Sequence, residues 1–246
     1  MNEVALLAVA FFAGATLYAS VGHGGASSYL AIMALAGVAP ETMRPTALAL
    51  NIVVASLVTL RFHRAGHVRW QAIAPFVLGS VPAAFVGGAL VLPSAVYKPI
   101  VGAILLVAAA QLFRTAADVR RDEGPAIIPF LPAVAAGAAI GLLSGLTGTG
   151  GGIFLTPLIL LAGWAPTRGA AGISAVFILA NSTAGLLGNV ASVQFLPDAL
   201  PIWLVAVAAG GLLGAELGAR RLPTPMMRRA LALVLVIAGL KLILLG

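Results

Sequence analysis

The chain has 246 residues, 61% of them hydrophobic and 9% charged, with a mean hydropathy of +1.10. A soluble domain carries roughly 25% charged residues, so there is too little polar side chain here to cover a water-facing surface, and the composition points to an integral membrane protein. The net charge of +7 does not signal nucleic-acid binding, because the basic residues cluster between apolar runs, with no basic face interleaved with aromatics; the lack of cysteine removes disulfides, thiolate metal sites and a cysteine nucleophile.

Ten apolar segments follow in order. The first half holds residues 3 to 21, 26 to 37, 43 to 61, 70 to 92 and 95 to 113; the second holds 126 to 147, 152 to 163, 169 to 190, 199 to 219 and 225 to 245. Runs of this length and number predict an all-α polytopic fold with about ten transmembrane segments, whereas a β-barrel would show alternating segments of about ten residues. Glu3 and the lack of a basic leader make the first run a retained helix rather than a cleaved signal peptide. The second segment of each half is too short to span. Twelve residues of helix rise about 18 Å against a hydrocarbon core of ~30 Å, so each must start or end inside the membrane.

The two halves repeat one plan. At an offset of 126 residues, Gly22, Gly24 and Gly25 fall on Gly148, Gly150 and Gly151, and Gly37, Ala39 and Pro40 fall on Gly163, Ala165 and Pro166. The domains are therefore a first repeat over 1–114, a polar cytoplasmic connection over 115–125, and a second repeat over 126–246. Arg61, Arg64 and Arg69, then Arg114, Arg120 and Arg121, then Arg220, Arg221, Arg228 and Arg229 mark three connections as cytoplasmic. The connections at 92–95 and 191–198 are poor in basic residues and face outward. This alternation predicts an inverted five-plus-five repeat with both termini outside. Two related halves, each with a glycine-interrupted hydrophobic segment, point to a transporter's substrate site.

The candidate site is built on the glycine clusters Gly22-His23-Gly24-Gly25 and Gly148-Thr149-Gly150-Gly151-Gly152. Glycine permits positive φ and close approach of the backbone to a ligand. A helix starting at such a break directs its first N–H groups into it, which suits an anion. Ser27, with Ser28, adds hydroxyls in the first copy; Thr147 and Thr149 do so in the second. The alternative is that the glycines only let helices pack closely. Asn51 and Asn181 lie within the third segments. They either bind substrate or bond a neighbouring helix, since an amide facing lipid is costly. Intramembrane ionisable groups are functional candidates, so Glu216 and His23 are candidates for proton coupling; the plainer reading pairs Glu216 with Arg220, one turn on. Arg44 and Arg168 follow the Ala-Pro turns and either recruit an anion or anchor the interface. Trp70, Trp164 and Trp203 fit an interfacial belt. His63 and His67 sit four apart in a basic loop with no carboxylate beside them. No metal site, cofactor or hydrolytic set is expected, so the chain is not read as an enzyme. The coupling ion is open between H+ and Na+, and a homo-oligomer is open too.

At these motifs the chain resembles the TauE/SafE family of bacterial sulfite and organosulfonate exporters. The resemblance rests on Gly22-His23-Gly24-Gly25 with Gly37-Val38-Ala39-Pro40, and on Gly145-Leu146-Thr147-Gly148-Thr149-Gly150-Gly151-Gly152 with Ala165-Pro166 and Asn181. Ala26 stands where a further glycine would match Gly152. The resemblance implies a multi-pass transporter of the bacterial inner membrane, moving a small sulfur-containing anion such as sulfite or an organosulfonate. An anion channel using the same breaks and a non-transporting accessory subunit are the alternatives.

Overall fold

The computed structural model describes residues 3–20, 22–115, 127–190, 196–220 and 225–244. Ten helices run through them: α1 Glu3–Ala19, α2 Ala26–Leu35, α3 Pro40–Arg64, α4 Trp70–Ala89, α5 Ser94–Thr115, α6 Phe130–Thr147, α7 Gly152–Leu161, α8 Thr167–Gly188, α9 Leu200–Arg220 and α10 Pro225–Leu244. Most of the polar connection at 115–125 and part of the connection at 191–198 lie outside the described residues.

Most boundaries fall within three residues of the sequence reading. The third helix is longer than expected, Pro40–Arg64 against 43 to 61. Pro40 fits the first helical turn, where its missing N–H costs nothing, and Arg61, His63 and Arg64 favour the carbonyl end of the helix dipole. The sixth is shorter, starting at Phe130 after an extended Pro129. Six helices, α3, α4, α5, α6, α8 and α9, are long and apolar enough to cross a membrane. Their outward side chains, among them Leu78, Leu131 and Val205, are exposed and apolar, which fits a hydrocarbon surround.

The short helices fold back. Tyr29 of α2 meets Phe11 of α1 edge-on at 5.7 Å, and Gly14 of α1 lies against Ser28 and Ile32. The start of α2 lies near Tyr18, so α2 returns alongside α1. In the second half the N–H of Ile127, ahead of α6, donates to the carbonyl of Trp164, beyond α7, at 2.8 Å. Each half therefore opens with a hairpin whose apex is the glycine cluster. At ten residues each, α2 and α7 rise about 15 Å, half the depth of a bilayer.

The packing obeys an exchange of halves. The first helix of each half packs on the fourth helix of the other, α1 on α9 and α6 on α4. Helix α3 packs on α8, and α5 on α10, each with its counterpart. The α3–α8 pair is antiparallel: Arg44 reaches Asn189, Asn51 reaches Ser182, and Gly22 is flanked by Phe62 of α3 and Ala171 of α8. The α5–α10 pair is antiparallel too, with Gly102 against Ile243 and Leu106 against Gly239. The α4–α6 pair is parallel. There Gly137, Gly141 and Gly145 rest on the backbone of Phe76, Ser80 and Ala84, the close approach that small residues allow between membrane helices. Gly210 and Gly214 of α9 do the same on Phe12 and Thr16 of α1. These packing glycines are a different set from those at the breaks.

Candidate functional site

Both glycine breaks end in left-handed backbone. Gly25 caps α2 with φ 101°, and Gly151 caps α7 with φ 79°. A side chain at such a φ is strained, which is why glycine stands there. Neither helix has a side-chain N-cap, so their first-turn N–H groups point into the break.

The antiparallel α3 and α8 bring the two breaks together. Asn51, midway along α3, stands between them: its Oδ1 lies against Gly24 and its Nδ2 against Gly150. Its Nδ2 donates to Ser182 Oγ of α8 at 2.8 Å, while Oδ1 is buried without a hydrogen-bond partner. Around this amide lies a narrow cleft of about 10 Å³, room for roughly one water molecule. His23, Gly24, Gly25 and Ser27 line it from the first half with Asn51, and Thr149 and Gly152 from the second. Tyr18, Ala26, Ile153 and Ile178 complete the lining. Both halves thus contribute to one site.

His23 is tied to the opposite half. Its Nε2 is 3.0 Å from Thr156 Oγ1 on α7, which is 2.7 Å from Ser174 Oγ on α8. Its ring meets Tyr18 edge-on at 6.4 Å. Ser28 Oγ donates to the carbonyl of Gly25 at 2.7 Å, so its hydrogen is used locally, in contrast to Ser27 on the cleft wall.

The other expected residues lie around the cleft. Thr147 Oγ1 donates to the carbonyl of Leu143 at 2.6 Å and stands 3.1 Å from Thr149 Oγ1. Its own carbonyl accepts from the Tyr97 hydroxyl at 3.1 Å. Gly22 rests on Ala171 and Phe62, Gly148 on the side chain of Arg44, Gly150 on Asn51, and Gly151 on Ile140 and Phe177. Asn181 is fully buried, with both amide atoms lacking a partner, and it does not line the cleft. It lies one helical turn from Phe177 and one from Gly185, which meet Gly151 and Gly145, so it faces the second break from behind. Ser144 Oγ, beside Gly151, is buried and unpartnered as well.

Arg44 is buried, with its guanidinium spread over four acceptors. It donates to the carbonyls of Leu90 at 2.8 Å, Gly88 at 2.6 Å and Leu146 at 3.4 Å, and to Asn189 Oδ1 at 2.5 Å. It thereby ties the start of α3 to the ends of α4, α6 and α8. Arg168 is exposed in the first turn of α8, at the other end of the bundle. Glu216 pairs with Arg61 of α3 at 2.6 Å, both about two-fifths exposed; the side chain of Arg220 lies outside the described residues. Trp203 donates to the carbonyl of Val4 at 3.2 Å and is buried, so it braces α9 on α1.

Sequence reasoning missed Tyr18, Thr156, Ser174 and Asn189. Hydroxyls and amides on apolar helices were visible, but nothing in their spacing marks partners in the other half.

Among the described residues, no cluster of His, Cys, Asp and Glu able to hold a metal ion occurs. The family profile described as Sulfite exporter TauE/SafE matches residues 6–242. A probable membrane transporter protein of Sinorhizobium fredii is 46% identical over 246 residues, covering 98% of this chain and 99% of that one. No solved structure matches the chain.

Proposed function

Because the chain belongs to the sulfite exporter TauE/SafE family and is a multi-pass membrane transporter, we propose that it is a secondary transporter exporting a small sulfur-containing oxyanion, sulfite or an organosulfonate, across the bacterial inner membrane. The observation that carries the reading is the place of Asn51, one amide between the glycine breaks of both halves. The first N–H groups of α2, from Ala26 and Ser27, and of α7, from Gly152 and Ile153, with the Ser27 hydroxyl, offer hydrogen bonds and helix-dipole charge to an oxyanion, whereas the Thr149 hydroxyl donates to Thr147 Oγ1. Buried polar atoms without partners cost about 1–3 kcal/mol each, so the unpartnered Asn51 Oδ1 and Asn181 amide mark where polar occupants, water or the protonated edge of a substrate, would be stabilising.

The antiparallel pairings of α3 with α8 and of α5 with α10 support an inverted repeat. Alternating access then follows from rocking of one half against the other around the shared cleft. The basic connection carrying Arg61, Arg64 and Arg69 defines the cytoplasmic end, and both termini lie outside.

The test is anion exchange in proteoliposomes with sulfite, sulfate, thiosulfate, taurine, sulfoacetate and chloride. Saturable exchange confined to sulfur oxyanions, and lost in Gly151→Leu with the protein still inserted, is the expected result. Undiminished exchange in that variant would overturn the site, and flux that rises without saturation would make the protein a channel.

A further inference from the structure

The transport reading leaves the coupling ion unassigned. We propose that His23 carries a coupling proton across with the anion, and that Thr156 and Ser174 form a hydroxyl chain that keeps His23 hydrogen-bonded in both of its charge states. The proposal rests on the transport reading above and adds the coupled ion to it.

The geometry of the chain is the argument. His23 Nε2, Thr156 Oγ1 and Ser174 Oγ follow one another at 3.0 and 2.7 Å. With Nε2 unprotonated, Thr156 donates to the imidazole and accepts from Ser174. With Nε2 protonated, the imidazole donates to Thr156, which turns its own hydrogen toward Ser174. Ser174 then directs its hydrogen to the helix carbonyl one turn back, a bond that serine makes readily within helices. Nε2 and both hydroxyls keep a partner in both states, because a hydroxyl both donates and accepts. A backbone carbonyl in the place of Thr156 would match only the protonated form. The step itself is the making and breaking of one N–H bond, with the proton taken from water at one end of the transport path and returned to water at the other.

The position fits the role. His23 lies in the apex of the first hairpin, whereas Thr156 and Ser174 belong to the second half, so any rocking of the halves acts on this chain. A Cβ built on Gly152, at the start of α7, would lie 3.5 Å from the imidazole Cδ2. An imidazolium there adds a full charge to the partial charge of the helix start. An anion in the cleft and a proton on His23 then favour each other, and the pair crosses an apolar interior at less cost than either ion alone.

The surrounding titratable and charged groups do not compete for the role. The packed elements carry Glu3 and Tyr18 on α1, Tyr29 on α2, Glu41, Arg44, Arg61, His63 and Arg64 on α3 with His67 in the turn beyond, and Arg168 in the first turn of α8; α7 has none. Tyr29 donates to the carbonyl of Gly24 at 2.9 Å. Glu216 is paired with Arg61 and does not line the cleft. Of the residues lining the cleft, His23 is the one whose side chain ordinarily titrates near neutral pH. Threonine stands at the equivalent position of the second half, Thr149, so the repeat supplies one such proton carrier and not two.

The experiment uses the full chain in anion-free proteoliposomes containing a pH-sensitive dye, and reads protons moved per anion taken up from the panel above. A second reading is the stabilisation of the purified protein by the same anions between pH 6 and pH 8. The wild type is expected to move protons with the anion and to bind it about tenfold more tightly at pH 6 than at pH 8. His23→Asn is expected to lose the proton signal and to bind with less than about a twofold difference between the two pH values. Titration of sulfite itself is the same for both proteins and cancels in the comparison. Thr156→Val is expected to displace the pH dependence, and Thr156→Ser to restore it. A wild-type ratio of protons to anions in His23→Asn, an unaltered pH dependence in both His23→Asn and Thr156→Val, or net anion uptake by the wild type with no proton movement overturns the proposal and leaves the transport reading intact. Absence of saturable exchange by the wild type at any pH overturns the transport reading and this proposal together.

Discussion

Asn51 donates through Nδ2 to Ser182 Oγ at 2.8 Å, and this bond joins the third helix of one half to the third helix of the other at the level of both glycine breaks. The amide is matched on one side only, since Oδ1 is buried without a partner. Asn51→Ala removes one hydrogen bond of net value near 1 kcal/mol and also removes an unsatisfied oxygen, so the melting temperature in detergent should change little. Anion-dependent stabilisation should fall at least about tenfold in affinity, which corresponds to 1.4 kcal/mol. A large loss of stability with unchanged anion affinity would make Asn51 a brace and not a ligand.

The glycines at positive φ are not equivalent, and their surroundings separate backbone strain from steric exclusion. Gly163 has φ 66° with open space where a Cβ would stand, whereas Gly150 has φ 73° with Asn51 and Ser182 in that space. Gly163→Ala should cost only the left-handed strain, roughly 1–2 kcal/mol. Gly150→Ala pays that strain and must also push the Asn51 amide aside, so it should be the more destabilising and should lower anion affinity, as Gly163→Ala should not. Thermal melts with and without sulfite compare them directly. Equal losses in both would mean that the second break tolerates a side chain and is not closed around Asn51.

The breaks were legible in the sequence because two local signals coincide there: glycine clusters, and apolar runs too short to span. Their repetition at a fixed offset predicted the start of α2 at Ala26 and of α7 at Gly152, where the structure has them. What the sequence left level was whether Asn51 and Asn181 bind substrate or bond a neighbouring helix, with Ser182 and Thr183 favouring Asn181 slightly. Both are amides in third segments, and only the antiparallel crossing of α3 and α8 sets Asn51 between the breaks and Asn181 behind one of them. The bonds from His23 to Thr156 and from Arg44 to Asn189 join residues 133 and 145 positions apart. No periodicity in one chain records such pairings, because each partner satisfies its own helix equally well wherever the other lies.

Arg44 and Arg168 looked alike as arginines after Ala-Pro turns, and burial separates them. Arg44→Leu leaves three carbonyls and the Asn189 amide, gathered at the ends of α4, α6 and α8, without their donor. Each buried acceptor left without its donor costs about 1–3 kcal/mol, so this variant should express poorly and melt at markedly lower temperature. Arg44→Lys should recover only part of the loss, since a compact ammonium cannot cover acceptors arranged around a planar fork. Arg168→Gln, at an exposed position, should stay within about 0.5 kcal/mol of wild type. Wild-type stability of Arg44→Leu in detergent melts would show that the guanidinium is dispensable to the packing of that end.

The inversion of the two halves can be tested from outside the molecule, because the chain contains no cysteine and single cysteines can be placed at will. Glu41 and Arg168 occupy nearly equivalent places in the repeat, each exposed in the first turn of a third helix. The α3–α8 pair is antiparallel, so these two positions lie at opposite ends of the bundle. Ala65, in the turn after α3, lies at the end that holds Arg168, since the carbonyl of His67 closes on Gly172 of α8. The positive-inside rule places that end in the cytoplasm. Glu41→Cys should therefore react with a membrane-impermeant maleimide added to intact spheroplasts. Arg168→Cys and Ala65→Cys should react only in inverted vesicles. Labelling of Glu41→Cys and Arg168→Cys from the same face would replace the inverted repeat with a parallel one. Labelling from opposite faces but in the reverse sense would keep the inversion and turn the whole protein over, so that the hairpin of α1 and α2 would enter from the cytoplasm.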